Sequence, residues 1–192
     1  EGQSDRKRRH ALEAYVQKGA DLAGERGLNQ IWKSLGSDDR GIRHAARVAL
    51  EKQPVANWKG RIAGEGNPVI ATAAMIALAR ADGAVSASAI LERSMDFDYD
   101  ALKDRQQRLD TLRSITLALT RGGQPSGGVK RKLISWLDAV YPARTPEENR
   151  DISAIMAFLQ APSAVEKGMA LLARASGQEE QIGYALNLRH LK

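Results

Sequence analysis

"DRGIRHAARVAL" (39–50) aligns without a gap over "NPVIATAAMIAL" (67–78), 28 residues further on. Asp39 falls on Asn67 and Ile42 on Ile70, while Ala45, Ala46, Ala49 and Leu50 fall on Ala73, Ala74, Ala77 and Leu78. Apolar residues at three- and four-residue spacing predict helices. A helix face made of alanine lets a neighbouring backbone come close. One such unit cannot bury that face alone, so its recurrence predicts units stacked in an array.

The rest of the chain extends the pattern. No segment alternates polar and apolar residues as a strand does, and aromatics are only 5% of the chain, which favours helices over sheets. Asn67-Pro68 places a capping side chain before a proline at the first helical position. Thr145 with Glu148, Ser163 with Glu166, and Ser176 with Glu179 have the spacing of capping boxes. These boundaries predict a lead helix near 5–24 and helical pairs at about 28–52, 54–82, 86–121, 128–160 and 163–191. The connection "RGGQPSGG" (121–128) is too short for a domain linker, so one domain over 1–192 is expected.

Bulk composition limits the chemistry. The chain is 43% hydrophobic and 27% charged, as in soluble globular proteins, and no apolar run approaches the roughly 18 residues that span a bilayer. No membrane partner is expected. The absence of cysteine removes disulfides, thiolate metal sites, cysteine nucleophiles and C-x-x-C-H haem attachment. A net charge of +6 and a pI near 9.7 invite nucleic acid as a partner. The basic run "DRKRRH" (5–10) and Lys130-Arg131-Lys132 nonetheless read more simply as solvated helix faces.

Asp39, Ile42 and Arg43 resemble the second helix of a HEAT repeat, which opens on an Asp and carries an Arg four residues on, after a β-branched residue. The resemblance implies that Asp39 and Arg43 form a structural ladder between neighbouring units, interrupted in the second copy, where Ala71 stands for the Arg. The segment 150–192 resembles part of large secreted bacterial proteins of the planctomycete type. It does so through Phe158-Leu-Gln-Ala-Pro162, Val165-Glu-Lys167 and the run from Gln178 through Tyr184-Ala-Leu186 to Leu188-Arg189. In those proteins a dehydrogenase-like β-propeller, a HEAT-repeat region and a c-type haem domain follow one another. The resemblance implies the helical middle region only, within a larger periplasmic or secreted protein. With neither cysteine nor strand repeats here, the family's redox chemistry does not carry over.

No constellation of side chains points to catalysis, a cofactor or a metal. "DFDYD" (96–100) spaces its carboxylates like half a calcium loop. The sixth position is Ala101 rather than Gly and the twelfth Gln107 rather than Glu, so an acidic helix start is the better reading. His10, His44 and His190 lack zinc spacing, and no Ser-His-Asp grouping or Gly-rich phosphate loop is legible. Trp32, Trp58 and Trp136 sit early in their pairs, where packing between two helices is the simplest role and a stacking platform the sharper alternative. On a helical wheel of the last helix, Ile182, Tyr184, Ala185, Leu186, Leu188 and Leu191 cover more than half the circumference. The remaining strip of Glu180, Gly183, Asn187 and His190 is the candidate interaction surface. Arg189 falls in the apolar sector and is expected to need a partner.

The expected fold is all-α, a right-handed α–α superhelix of HEAT- or armadillo-like helical pairs. The expected function is non-enzymatic: a scaffold or interaction module contacting a protein partner or the flanking domains of its own chain. The alternative is nucleic-acid binding in a basic groove of the kind used by HEAT-like DNA glycosylases.

Overall fold

The computed structural model describes residues 2–17 and 24–191. The helices are α1 (Gln3–Gln17), α2 (Gly24–Ser34), α3 (Arg40–Glu51), α4 (Pro68–Met95), α5 (Arg105–Gly122), α6 (Gly127–Val140), α7 (Pro146–Phe158), α8 (Ala164–Arg174) and α9 (Gln178–Leu188). Two 3₁₀ turns, Val55–Asn57 and Lys59–Ile62, precede α4, and no strand occurs among the described residues. The fold is therefore all-helical. The part of the expected lead helix over 18–23 lies outside the described residues.

The helices pack in chain order. The second helix of each expected pair touches the next, so that α1, α3, α4, α5, α7 and α9 follow one another across the molecule, while α2 packs on α3 and α8 on α9. The aligned alanines lie at these contacts: Ala46, Ala49, Ala74 and Ala77 are fully buried, as is Leu50, with Leu78 close to it. Ile42 is buried as well, whereas Ile70 is half-buried against the same core. Ala71 through Ala79, apart from the half-buried Ala73, is buried. By length and composition alone α4 would cross a bilayer, but its apolar first half packs between α3 and α5.

α4 breaks where the expected pairs divide. Asp82 has φ −145° and ψ 36°, outside the helical region. The stretch 83–95 turns back along α5 at close range. A Cβ on Gly83 would meet the Arg121 Cβ at 2.6 Å, and one on Gly122 would overlap Ala87. Glycine here permits the contact.

Three local expectations are corrected. The first half of the pair at 54–82 is the two 3₁₀ turns rather than an α-helix. Pro54, Gly60, Gly64 and Gly66 disfavour a longer helix there, and buried Trp58 anchors the segment by donating to the Gln53 carbonyl at 3.3 Å. Ser163 does not cap α8, because its hydroxyl donates to Asp138 at 2.8 Å. Gly177, one residue after Ser176, is the N-cap of α9. Asn67 and Thr145 cap their helices, accepting from Val69 N at 2.9 Å and Glu148 N at 3.3 Å, but the Glu148 carboxylate pairs with Arg108 and does not close the expected box.

One tie recurs along the chain. Four residues after the caps of α3, α5, α7 and α9, a side chain donates to the carbonyl six positions before it. Arg43 reaches Ser37 at 2.6 Å, Arg108 reaches Leu102 at 2.6 Å, Asn149 reaches Ala143 at 3.2 Å and Gln181 reaches Ala175 at 3.2 Å. The connection into each second helix is thus closed by a donor from that helix's first turns. Ala71 has no such donor, and the equivalent carbonyl, Glu65, is taken by Arg93 Nη2 at 2.7 Å, with Arg93 Nε on the Ile62 carbonyl at 3.2 Å. A loop carbonyl that leaves water needs a partner, and α4's later half supplies one where the helix that follows the loop lacks it at its start.

Candidate functional site: the arginine-lined face of the second helices

α3 buries its alanines on one side and carries Arg40, Arg43 and Arg47 on another, at i, i+3 and i+7. Like charges at these spacings are neighbours on a helix and repel. Across the surface α5 brings up Arg113, and between the two the side chains of α4 are the uncharged Val69, Ala73 and Ile76. Together they bound a recess of about 400 Å³, with apolar residues for its floor and arginines on both walls.

The guanidinium groups differ in how they are satisfied. Arg43 Nη1 is held by the Ser37 and Asp38 carbonyls at 2.6 and 2.9 Å. Arg47 Nη2 donates to His44 Nδ1 at 3.1 Å, while its Nε lies 3.8 Å from Glu51 and makes no hydrogen bond. Burial holds the Arg47 guanidinium below the usual arginine range. Glu51 opposes that shift, and Arg80 and Arg113 add to it. Arg40 and Arg113 form no ion pair among the described residues, and both are exposed. The only carboxylate lining the recess is Asp110, which accepts from Gln106 Nε2 at 3.0 Å.

Neighbouring recesses follow the same layer. One of about 550 Å³ between α1 and α3 is lined by Arg9, Glu13, His44 and Val48 among others. One of about 320 Å³ between α5 and α7 sets Arg113 and Arg150 beside Asp110, Glu147 and Asp151. Burial raises the Asp151 carboxyl above the usual range, against the pull of Arg150 and Arg113. A smaller recess near the cap of α5 gathers Asp38, Asp104 and Asp110 around Arg43. Positive charge is therefore concentrated at α3 and Arg113, with acids on both sides.

The residues singled out from sequence fall in several places. Asp39 accepts from Ile42 N at 2.8 Å as the cap of α3, and the bonds of Arg43 stay within the α2–α3 turn. Ion pairs between successive second helices are made instead by Arg80 of α4 with Glu51 of α3 at 3.1 Å, and by Arg105 and Arg108 of α5 with Glu147 and Glu148 of α7 at 2.6 and 2.8 Å. Glu180 accepts from Tyr184 of its own helix at 3.2 Å, and Asn187 donates to the Arg150 carbonyl at 3.4 Å. Half-buried Gly183 lies against the Arg150 side chain. This strip thus faces α7, apart from His190, which is exposed and whose carbonyl accepts from Gln160 at 2.8 Å. The expected apolar sector is buried only in part: Tyr184 is buried and Leu188 and Leu191 are half-buried, whereas Ile182 and Leu186 are 50% and 48% exposed and Arg189 lies in solvent.

The stretch 96–100 is a turn and not a helix start. Asp98 accepts from Asp100 N and Ala101 N, Asp100 meets Arg144 at 3.0 Å, and α5 starts later, capped by Asp104. Tyr99 is buried edge-on to Trp136, with ring centroids 5.6 Å apart. Burial first, and Glu148 second, push its phenol well above the usual range. No group of three His, Asp or Glu residues suited to a metal occurs among the described residues. Trp32 and Trp58 are buried and Trp136 is half-buried, donating to the Phe97 carbonyl at 3.3 Å. All three serve packing.

Sequence reasoning missed the arginine recess. The i, i+3, i+7 arginines of α3 were a visible signal, but Arg113 joins them only through the packing of α3, α4 and α5. Comparison with family models, with curated proteins and with solved structures finds no match for the chain.

Proposed function

We propose that the chain is a non-enzymatic helical-repeat module, an α–α superhelix of HEAT-like pairs, that spaces flanking domains and offers its layer of second helices to a partner. The observation that supports this most is the recurring tie of Arg43, Arg108, Asn149 and Gln181 to the carbonyl six residues back, with Arg93 substituting where Ala71 stands. A closure that recurs at the connections into α3, α5, α7 and α9 is what stacked equivalent units require. Placement within a larger exported protein rests on the resemblance of 150–192 to the planctomycete-type proteins. The test is to read the gene on both sides of this segment. A haem-attachment motif downstream, with a signal peptide and strand-rich repeats upstream, is the expected result. A start codon directly before Glu1 and a stop codon after Lys192 overturns the placement.

A second reading, nucleic-acid binding, is favoured by Arg40, Arg47, Arg113 and Arg150 lying along one surface. It is tested by binding of labelled duplex DNA as salt is raised, since each neutralised phosphate steepens the fall in affinity. Absence of binding at about 50 mM salt removes it.

A further inference from the structure

The recess between α3 and α5 is unusual in its balance. Four guanidinium groups, from Arg40, Arg43, Arg47 and Arg113, face one carboxylate, Asp110. Packing does not require this. Arg40 and Arg113 are exposed and form no ion pair among the described residues. Arg47 is half-buried, with Nη2 on His44 and Glu51 3.8 Å from an Nε that makes no hydrogen bond. A like-charged stripe weakens its own helix, and such a stripe opposite a further arginine on a separate helix is arranged to meet negative charge from outside.

The shape of the positive field limits what that charge belongs to. A duplex presents a negative charge about every 1.7 Å along its axis and runs on past any local cluster. Here it would meet Asp38 and Asp104 beyond one end of the cluster and Glu147 and Asp151 beyond another. The floor, Val69, Ala73 and Ile76, offers nothing to a phosphate but accommodates an aliphatic side chain. Three adjacent helices at about 8–10 Å spacing span roughly 20 Å, the reach of about six extended residues.

Building on the interaction-module reading above, we propose that this recess takes a short acidic peptide segment of a partner protein, its carboxylates on Arg40, Arg47 and Arg113 and an aliphatic side chain on the α4 floor. Arginine forks bind carboxylates in bidentate fashion, and the closed length of the cluster selects a short segment over a long polyanion.

The experiment uses the whole chain and a fluorescein-labelled peptide of alternating Glu and Leu, read by anisotropy. The site variant is Arg40→Glu with Arg113→Glu. The control is Arg131→Glu with Lys132→Glu, exposed on α6, which changes net charge equally. The expected result is saturable binding that falls about tenfold or more in the site variant and less than about twofold in the control, with an uncharged Gln–Leu peptide failing to bind. Equal loss in both variants, equal binding of the Gln–Leu peptide, or no binding of the Glu–Leu peptide overturns the proposal. Tighter binding of a short duplex DNA, lost in the site variant, also overturns it and assigns the recess to nucleic acid. None of these outcomes bears on the gene context, so the two proposals fail separately.

Discussion

Arg108 Nε lies 2.8 Å from Glu148 Oε1, with the two side chains 5% and 0% exposed, and this buried pair fastens α5 to α7. The same guanidinium holds the Leu102 and Lys103 carbonyls at 2.6 and 3.1 Å. One residue therefore closes its own connection and joins α5 to α7. Removing either partner leaves a charge with no counterion in the interior. Arg108→Met or Glu148→Leu alone is expected to destabilise the chain by about 3–5 kcal/mol. The double replacement is expected to recover much of that loss, apart from the two carbonyls. Urea denaturation of the singles and the double measures the difference.

Arg93 stands in for the donor that Ala71 lacks, and its guanidinium also lies 4.7 Å from the Phe97 ring centre. Arg93→Ala is expected to cost about 1–3 kcal/mol by leaving the Ile62 and Glu65 carbonyls short of donors. Arg93→Lys is expected to recover only part of it, because an ammonium lacks the planar fork that spans both carbonyls. Thermal melting of the two variants gives the order.

Two carboxyls have opposite pH signatures. Lys167 Nζ, 2.7 Å from Asp138 Oδ1, holds that carboxyl below its usual range, more than burial raises it, and Ser163 adds to the effect. A folded pKa below the unfolded value gives stability that is present above the usual aspartate pKa and lost as pH falls through the folded one. Asp138→Asn is therefore expected to flatten the acid side of the stability curve below about pH 4 while lowering stability at neutral pH. Melting temperatures across that range read both effects.

Asp151 has the reverse sign. Burial raises its pKa, so ionisation opposes folding at neutral pH and that opposition is relieved as pH falls toward the raised value. Asp151→Asn is expected to keep or raise the melting temperature at neutral pH. It also removes one acid beside Arg113 and Arg150, so any anion held by the arginine recess is expected to bind more tightly to this variant. Weaker binding there contradicts the electrostatic picture of the surface.

Where local chemistry decides a feature, the sequence exposes it. Asn67-Pro68 and Thr145 cap their helices, the aligned alanines apart from half-buried Ala73 are buried, and Asp82 breaks α4 at the expected boundary between pairs. The arginine tie was half legible. "DRQQR" (104–108) repeats the Asp and Arg spacing of "DRGIR" (39–43), and both arginines bind the carbonyl six residues back. Where tertiary contact decides, pattern reading fails. Ser163 looks like a cap but is drawn away by Asp138 on another helix. On α9 the small and polar strip packs on α7, because Gly183 leaves room for the Arg150 side chain. Its apolar residues Ile182 and Leu186 are left in solvent. The meeting of Arg113 with the arginines of α3 across the apolar residues of α4 has no trace in local sequence.

Ala46 and Ala74 occupy aligned positions and both are fully buried, and the proposed repeat requires the two to be equivalent. Thermal melting of Ala46→Glu and Ala74→Glu tests it most directly, since each substitution forces a carboxylate into the contact between successive second helices. Equivalent stacking faces predict that both variants unfold or melt at a sharply lower temperature. Unchanged melting in either would contradict the equivalence of the two units.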